Sequence, residues 1–405
     1  PDAGCIQTFT GHTWTVDVSV ITPDGQILVS GSLDKDIRIW DLQSGACRHV
    51  LHGHTEGITA LAVTSDGLRL VSASFDKTVR IWDLANGSCL HVFKGELGPV
   101  RTFLLTANGQ KIVANDDRNI RIWDIKSGTC LQVLKGHSFF VSTLAITDDE
   151  KILVSGSKDA TIRVWDLTTY ECLQVLRGHT ETINDIALTP DQRKIISSSD
   201  DQTVRVWERA SGQCLHILKG HIFAIHPDGK RLISAEDGLH VWDIDHGTIL
   251  QSLTGHTGSV RDLILKDDGD QVISCGTDHT VRVWRLSNGQ CLRTFEGHSY
   301  WVYQVVLTPD GNQVISSSGD NTLRLWQLPL VDKVHINWAV NKPRPTESML
   351  AVGASIQKEK TAIKKAINEG KLKKAGESLR SAISVPGFER DADLLKMWHI
   401  VGLKA

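Results

Sequence analysis

Apolar and polar residues alternate in short runs through the first 328 residues. Gln26–Ser32 and Asp36–Asp41 are representative. In Ile37-Arg38-Ile39-Trp40, Ile37 and Ile39 face one way and Arg38 and Trp40 the other, the period of two of a strand. β-Branched residues are frequent in the runs, and Gly, Asn and Asp separate them. The pattern therefore predicts an all-β region of short antiparallel strands over 1–328. Helical spacing begins only later. Pro343 and Pro345 punctuate a linker over 329–345. Met349, Val352, Ile356, Ile363, Ala366 and Ile367 then recur at helical steps, with Gly370 placed as a C-cap. Leu372, Ala375, Leu379, Ala382 and Ile383 make a second stripe, stopped by Pro386-Gly387. Asp391 can cap a third helix bearing Leu394, Leu395, Trp398 and Val401. The spacing predicts about three short helices over 346–405.

The strand runs are periodic. Of twelve Trp in 405 residues, eight fall at Trp40, Trp82, Trp123, Trp165, Trp207, Trp242, Trp284 and Trp326, mostly 42 residues apart. A Gly-His series runs in phase at His12, His54, His137, His179, His221, His256 and His298, with Glu96 in the third position. Pro-Asp-Gly-like turns recur between them, as at Pro23-Asp24-Gly25 and Pro309-Asp310-Gly311. Such a period, with Gly-His and Trp-Asp ends, is a repeat signature.

On these residues the chain resembles the WD-repeat family over residues 4 to about 328. The resemblance implies an all-β, eight-bladed WD-repeat β-propeller. The last unit lacks an outer strand after Leu328, and Gly4-Cys5-Ile6-Gln7-Thr8-Phe9-Thr10 matches Gly289–Phe295, so the N-terminal strand is expected to close the ring. The family also implies a hydrogen-bonded His, Ser, Asp and Trp in each blade. By position these are His12, Ser30, Asp34, Trp40; His54, Ser72, Asp76, Trp82; His137, Ser155, Asp159, Trp165; His179, Ser197, Asp201, Trp207; His256, Ser274, Asp278, Trp284; and His298, Ser316, Asp320, Trp326. A hydrolase triad occurs once in an enzyme, whereas this set occurs six times, as a folding device would. Unit 3 departs from the pattern, with Glu96 for His and Val113-Ala114-Asn115 where Ser is expected; Asp117 and Trp123 remain. Unit 6 is seven residues short, so its innermost strand should be stunted. Both units are expected to lack a complete polar set.

Composition narrows the function. Lys+Arg total 44 against 47 Asp+Glu, net −3, without the basic excess of a dedicated nucleic-acid binder. No apolar run approaches the length of a membrane-spanning helix. A start at Pro1 is expected of a piece of a longer protein. Residues 331–405 carry net +6 and the remainder −9, so the tail is expected to lie against the propeller or an acidic partner. Cys5, Cys47, Cys89, Cys130, Cys172, Cys214 and Cys291 share one repeat position. They read as small buried hydrophobes in a reducing, cytoplasmic setting. Phosphate loops, nucleophile elbows and zinc-protease motifs are absent from the sequence.

These features predict a non-catalytic scaffold or sensor that binds protein or peptide partners, with no cofactor and no metal. A propeller-type enzyme with a site at the central channel, or a phosphopeptide receptor using Arg101 and Arg261, are the alternatives. The tail resembles the helical segment after WD repeats in some prokaryotic multidomain signalling proteins. Family contacts come largely from residues three and five after the Gly-His His and from the residue before the turn Asp. In units 8, 1 and 2 these include Trp301, Tyr303, Asp17, Leu33 and Phe75, with Trp14 and Tyr300 beside them. This surface is the expected partner site.

Overall fold

The structure, a computed structural model, describes residues 4–94, 98–106, 109–236 and 238–329. The expectations for Glu96 and for the helical tail with its Trp398 lie outside the described residues. Among the described residues, thirty-two strands, from β1 (Cys5–Phe9) to β32 (Leu323–Gln327), form eight four-stranded antiparallel sheets. The first sheet runs β2 (Val16–Ile21), β3 (Ile27–Ser32), β4 (Ile37–Asp41) and β5 (Cys47–Leu51) in sequence order. The last joins β30 (Val302–Leu307), β31 (Gln313–Ser318) and β32 to β1. Phe9 faces Leu323, Thr8 faces Arg324 and Gln7 faces Leu325. The N-terminal strand thus closes the ring and covers the edge that β32 would otherwise expose.

Neighbouring sheets pack face to face, which explains why the second strand of each sheet is buried on both sides. In β3 every residue from Leu28 to Ser32 is buried. Val29, Ile37, Ile39 and Leu51 of the first sheet pack against Ile58, Leu70, Trp82 and Leu84 of the second. Leu28 and Trp40 meet Phe9, Ile315, Leu323 and Leu325 of the last sheet. Each such Leu or Ile contributes roughly 1.5–3 kcal/mol by leaving water. Outer strands are buried on one face only, and three of the repeat-position thiols, Cys47, Cys89 and Cys130, are exposed. Burial of these cysteines was expected from their spacing. They instead open the outer strand at the rim, opposite a register shift beside each Trp (Trp40↔Cys47, Trp82↔Cys89), where no further sheet covers them. All eight thiols are free.

The two irregular units behave differently. Unit 6 has an innermost strand of four residues, β22 (Ile222–Ile225), against six in β2. Trp242 still donates to Ser234 at 2.8 Å, but the His221 ring, whose backbone amide stays bonded to Ala235, turns to the Val260 carbonyl of unit 7 at 3.1 Å. Unit 3 has a different polar set instead of the expected deficit. Its second and third strands, β11 (Lys111–Asp116) and β12 (Asn119–Asp124), turn with one residue fewer, pairing Asp116 with Asn119. Asp116 becomes fully buried and takes a 2.6 Å ion pair from Arg121. Asn115 accepts from the Arg101 and Thr102 amides at 2.8 and 3.0 Å and donates to the Pro99 carbonyl. A buried carboxylate needs such donors, and the shorter turn places them.

Candidate functional site

The polar sets fix the loops from which any site must be built. In unit 1 the indole of Trp40 donates to Ser30 Oγ at 2.8 Å, which lies 2.8 Å from His12 Nε2, while Nδ1 lies 2.8 Å from Asp34 Oδ2. The network assigns a direction: Trp donates to Ser, Ser to His Nε2, and His Nδ1–H to Asp. The same geometry holds at His54, His137, His179, His256 and His298. Asp34 also accepts from the Thr13 and Asp36 amides, tying the loop before the first strand to the turn between second and third. Gly11, at φ +147°, is required there: a Cβ would come within 2.8 Å of Arg38 Nη1, whose guanidinium lies 5.9 Å from the Trp40 ring centre. Burial would raise the Asp34 carboxyl, but the His12 and amide hydrogen bonds outweigh it and hold it at about 2. Asp76, Asp159, Asp201, Asp278 and Asp320 are lowered in the same way.

The two anchored loops leave each sheet at one end, here called the top. Five side chains from units 7 and 8 meet there. Tyr300, 45 % exposed, stacks on His279 at 6.3 Å and lies 5.3 Å from Trp301. Tyr303 meets Trp301 edge-on at 6.4 Å, and Arg261 covers the Trp301 ring at 5.4 Å. Burial and then the charges of Asp17 and Tyr300 raise the Tyr303 phenol. The expected partner residues therefore divide. Tyr300, Trp301 and Tyr303 come together, and the charge of Asp17 acts on the Tyr303 phenol. Trp14 is 61 % exposed and makes no ring contact among the described residues. Leu33 packs beside Gly57 of unit 2. Phe75 lies under Arg101 of unit 3, in a separate group with Phe140 and Lys158. Arg261 and Arg101 were candidates only for phosphopeptide reading, and His279 had no signal, since it follows the turn Asp rather than preceding it. Phe139 and Phe140 of unit 4 stand out in the sequence as aromatics across the ring, and Lys158, which precedes Asp159, would have been found by applying the family positions to unit 4 as well.

Two carboxylates of the innermost strands, β18 (Ile183–Leu188) and β26 (Val260–Leu265), titrate high. Desolvation among the innermost strands raises Asp185 to about 6, although the residue keeps an exposed surface, against hydrogen bonds from the Ile186 amide and Thr143. Burial, reinforced by the charge of Asp185, raises Asp262 to about 7 against the Val305 and Leu263 amides. Asp262 Oδ2 accepts from Val305 of the next unit at 2.9 Å. Asp185 accepts from the Thr143 hydroxyl of unit 4 at 3.2 Å and from the Ile186 amide at 2.8 Å. An acid whose folded-state value is raised binds more protons when folded, so stability rises as pH falls from about 7 towards about 4. The lowered repeat aspartates act oppositely, and their contribution is lost as pH falls from about 4 towards about 2. Thermal stability should therefore peak between about pH 4 and 6. Asp262→Asn should flatten the gain between pH 8 and 5 in a series of melting curves while leaving the acid limb unchanged.

The family profile described as WD domain, G-beta repeat matches residues 3–41, 45–83, 87–124, 128–166, 170–208, 212–243, 247–285 and 289–327. Two curated relatives match over short stretches. Mitochondrial division protein 1 of Saccharomyces cerevisiae is 48 % identical over 46 residues, 11 % of this chain and 6 % of that protein. Nuclear distribution protein PAC1 of the same species is 47 % identical over 47 residues, 11 % and 9 % respectively. The crystal structure of the computationally designed Ika8 protein superposes with a TM-score of 0.72 at 28 % identity, covering 80 % of this chain and 100 % of that one. Eight matched repeats, each supplying three strands of one sheet and the outer strand of the sheet before it in a closed ring, make this chain a member of the WD40 repeat family.

Proposed function

We propose that this chain is a non-catalytic interaction module, the scaffold or sensor part of a larger protein, which binds a protein or peptide partner on the top face at units 8 and 1. WD40 propellers are in general modules that bind protein partners. The observation that carries the reading is the group Tyr300, Trp301, Tyr303, His279 and Arg261, a half-exposed aromatic patch held on loops that the polar sets make rigid. Aromatic and arginine side chains of this kind dominate binding energy at protein interfaces. The Lys-rich segment 346–405 is proposed to be helical and to pack on the acidic propeller, a reading supported by its spacing and its opposite charge. A prokaryotic multidomain signalling protein in the cytoplasm is the proposed setting, on the likeness of that tail pattern.

The test is capture of partners by the full chain and by a folded Trp14→Ala/Trp301→Ala/Tyr303→Ala variant. Loss of about tenfold or more in affinity is expected, since each truncated anchor costs ~2 kcal/mol. Trp14→Ala alone should show a smaller loss, because Trp14 stands apart from the group. Undiminished capture by the triple variant would remove this surface from consideration.

A further inference from the structure

We propose that the top face carries a second docking surface, across units 2 to 4, that takes an acidic peptide segment flanked by apolar side chains. Its residues come from three successive units. Phe75 precedes the turn Asp of unit 2, Arg101 enters from the first loop of unit 3, and Phe139, Phe140 and Lys158 belong to unit 4. The Arg101 guanidinium lies 5.3 Å from the centre of the Phe75 ring and 4.7 Å from that of Phe140. The Lys158 ammonium lies 5.4 Å from both Phe139 and Phe140, whose rings are 5.5 Å apart. The backbone beneath is fixed: the Arg101 amide donates to Asn115 at 2.8 Å and the Lys158 amide to the Phe140 carbonyl at 3.0 Å.

Charge decides the occupant. Arg101 and Lys158 are both exposed, and neither has a carboxylate partner among the described residues. The group around Arg261 differs, because Asp17 reaches the same phenol, Tyr303, as that arginine does. Rings beside a guanidinium hold it in place and shield its faces, leaving its N–H edge for a planar, two-oxygen acceptor. A carboxylate fits that edge, and the neighbouring ammonium adds a second positive charge at short range. Phe139 is 51 % exposed beside the cations and offers an apolar contact to the residue next to the acid. A basic partner would be repelled here. This surface shares no residue with the one at units 8 and 1, so either can fail without the other.

The experiment measures anisotropy of a fluorescein-labelled short peptide of alternating Glu and Leu titrated with the full chain, beside its Lys/Leu counterpart. Binding of the acidic peptide alone is expected, weakening as salt is raised. Arg101→Glu/Lys158→Glu should weaken it by at least about tenfold, with Arg101→Gln/Lys158→Gln as the milder pair if charge reversal impairs folding. Phe139→Ala should weaken binding without changing its salt dependence. Absence of binding, binding unchanged in both cation variants, or loss only in Trp301→Ala/Tyr303→Ala would overturn the proposal. Displacement by millimolar inorganic phosphate would reassign the cations to a phosphate and overturn it as well.

Discussion

Removal of residues 1–10 is expected to abolish the cooperative melting of the whole disc. The deletion takes β1 from the last sheet and leaves the backbone of β32 as an open edge. It also takes Phe9, 1 % exposed, from its place 5.6 Å from the Trp40 ring, and uncovers the buried Leu323 and Leu325. Truncating a buried Phe alone costs about 3–5 kcal/mol. That is a large part of the roughly 5–15 kcal/mol that holds a typical domain folded, before the lost ladder bonds are counted. Because Phe9 packs on Trp40 of unit 1 while its strand pairs with unit 8, the deletion separates the two ends of the ring. The open edge should also promote self-association. Differential scanning calorimetry with light scattering reads both effects. A melting temperature equal to that of the full chain would show that the ring does not depend on this closure. Phe9→Ala should give an intermediate result, with a single transition shifted down.

Asp320→Ala should cost about 2–4 kcal/mol, the largest loss expected from one substitution at a polar position. Asp320 accepts from His298 at 2.8 Å, from the amides of Ser299 and Thr322 at 3.1 Å each, and from the Thr322 hydroxyl at 2.6 Å. Alanine leaves several of these donors unpaired, and His298 is buried, so the desolvation of its N–H goes uncompensated. Asp278→Ala should cost a similar amount, since the same bonds recur in unit 7, and Asp34→Ala a comparable but smaller one, because Asp36 donates only its amide where Thr280 and Thr322 add a hydroxyl. Equal losses around the ring are the mark of a folding device. A single unit whose substitution spared stability but removed an activity would instead mark a catalytic set. Chemical denaturation of the three variants, read as midpoint shifts at constant slope, separates these outcomes.

The surface at units 8 and 1 was partly legible before any coordinates. Trp301 and Tyr303 stand at the third and fifth positions after His298, and repeat spacing alone identifies such loop positions. Phe75 was assigned to the same surface because unit 2 follows unit 1. In the structure it turns towards unit 3 and joins Arg101, so the patch splits in two. Nothing in the spacing says which neighbour a loop side chain will lean on. The answer depends on what the next blade offers, here a guanidinium rather than the Leu33 side chain that lies beside Gly57.

By itself, the sequence determined the number of blades, the strand that closes the ring and the members of six polar sets. All of these rest on contacts inside one unit or on one repeated spacing, such as the 10 residues from Ser30 to Trp40 and the 22 from His12 to Asp34. A period in the chain records such contacts directly. The tertiary structure alone decided how equivalent positions meet across blades, at separations such as 42 residues for Thr143 with Asp185 and 43 for Asp262 with Val305. It decided that His221 bonds to unit 7, that Asp116 and Arg121 replace the missing set of unit 3, and that three of the outer-strand thiols face water. The physical reason is common to all of them. Burial and partner choice between blades depend on the shapes of two facing sheets, and a one-residue change in a turn alters which groups face each other without disturbing the period.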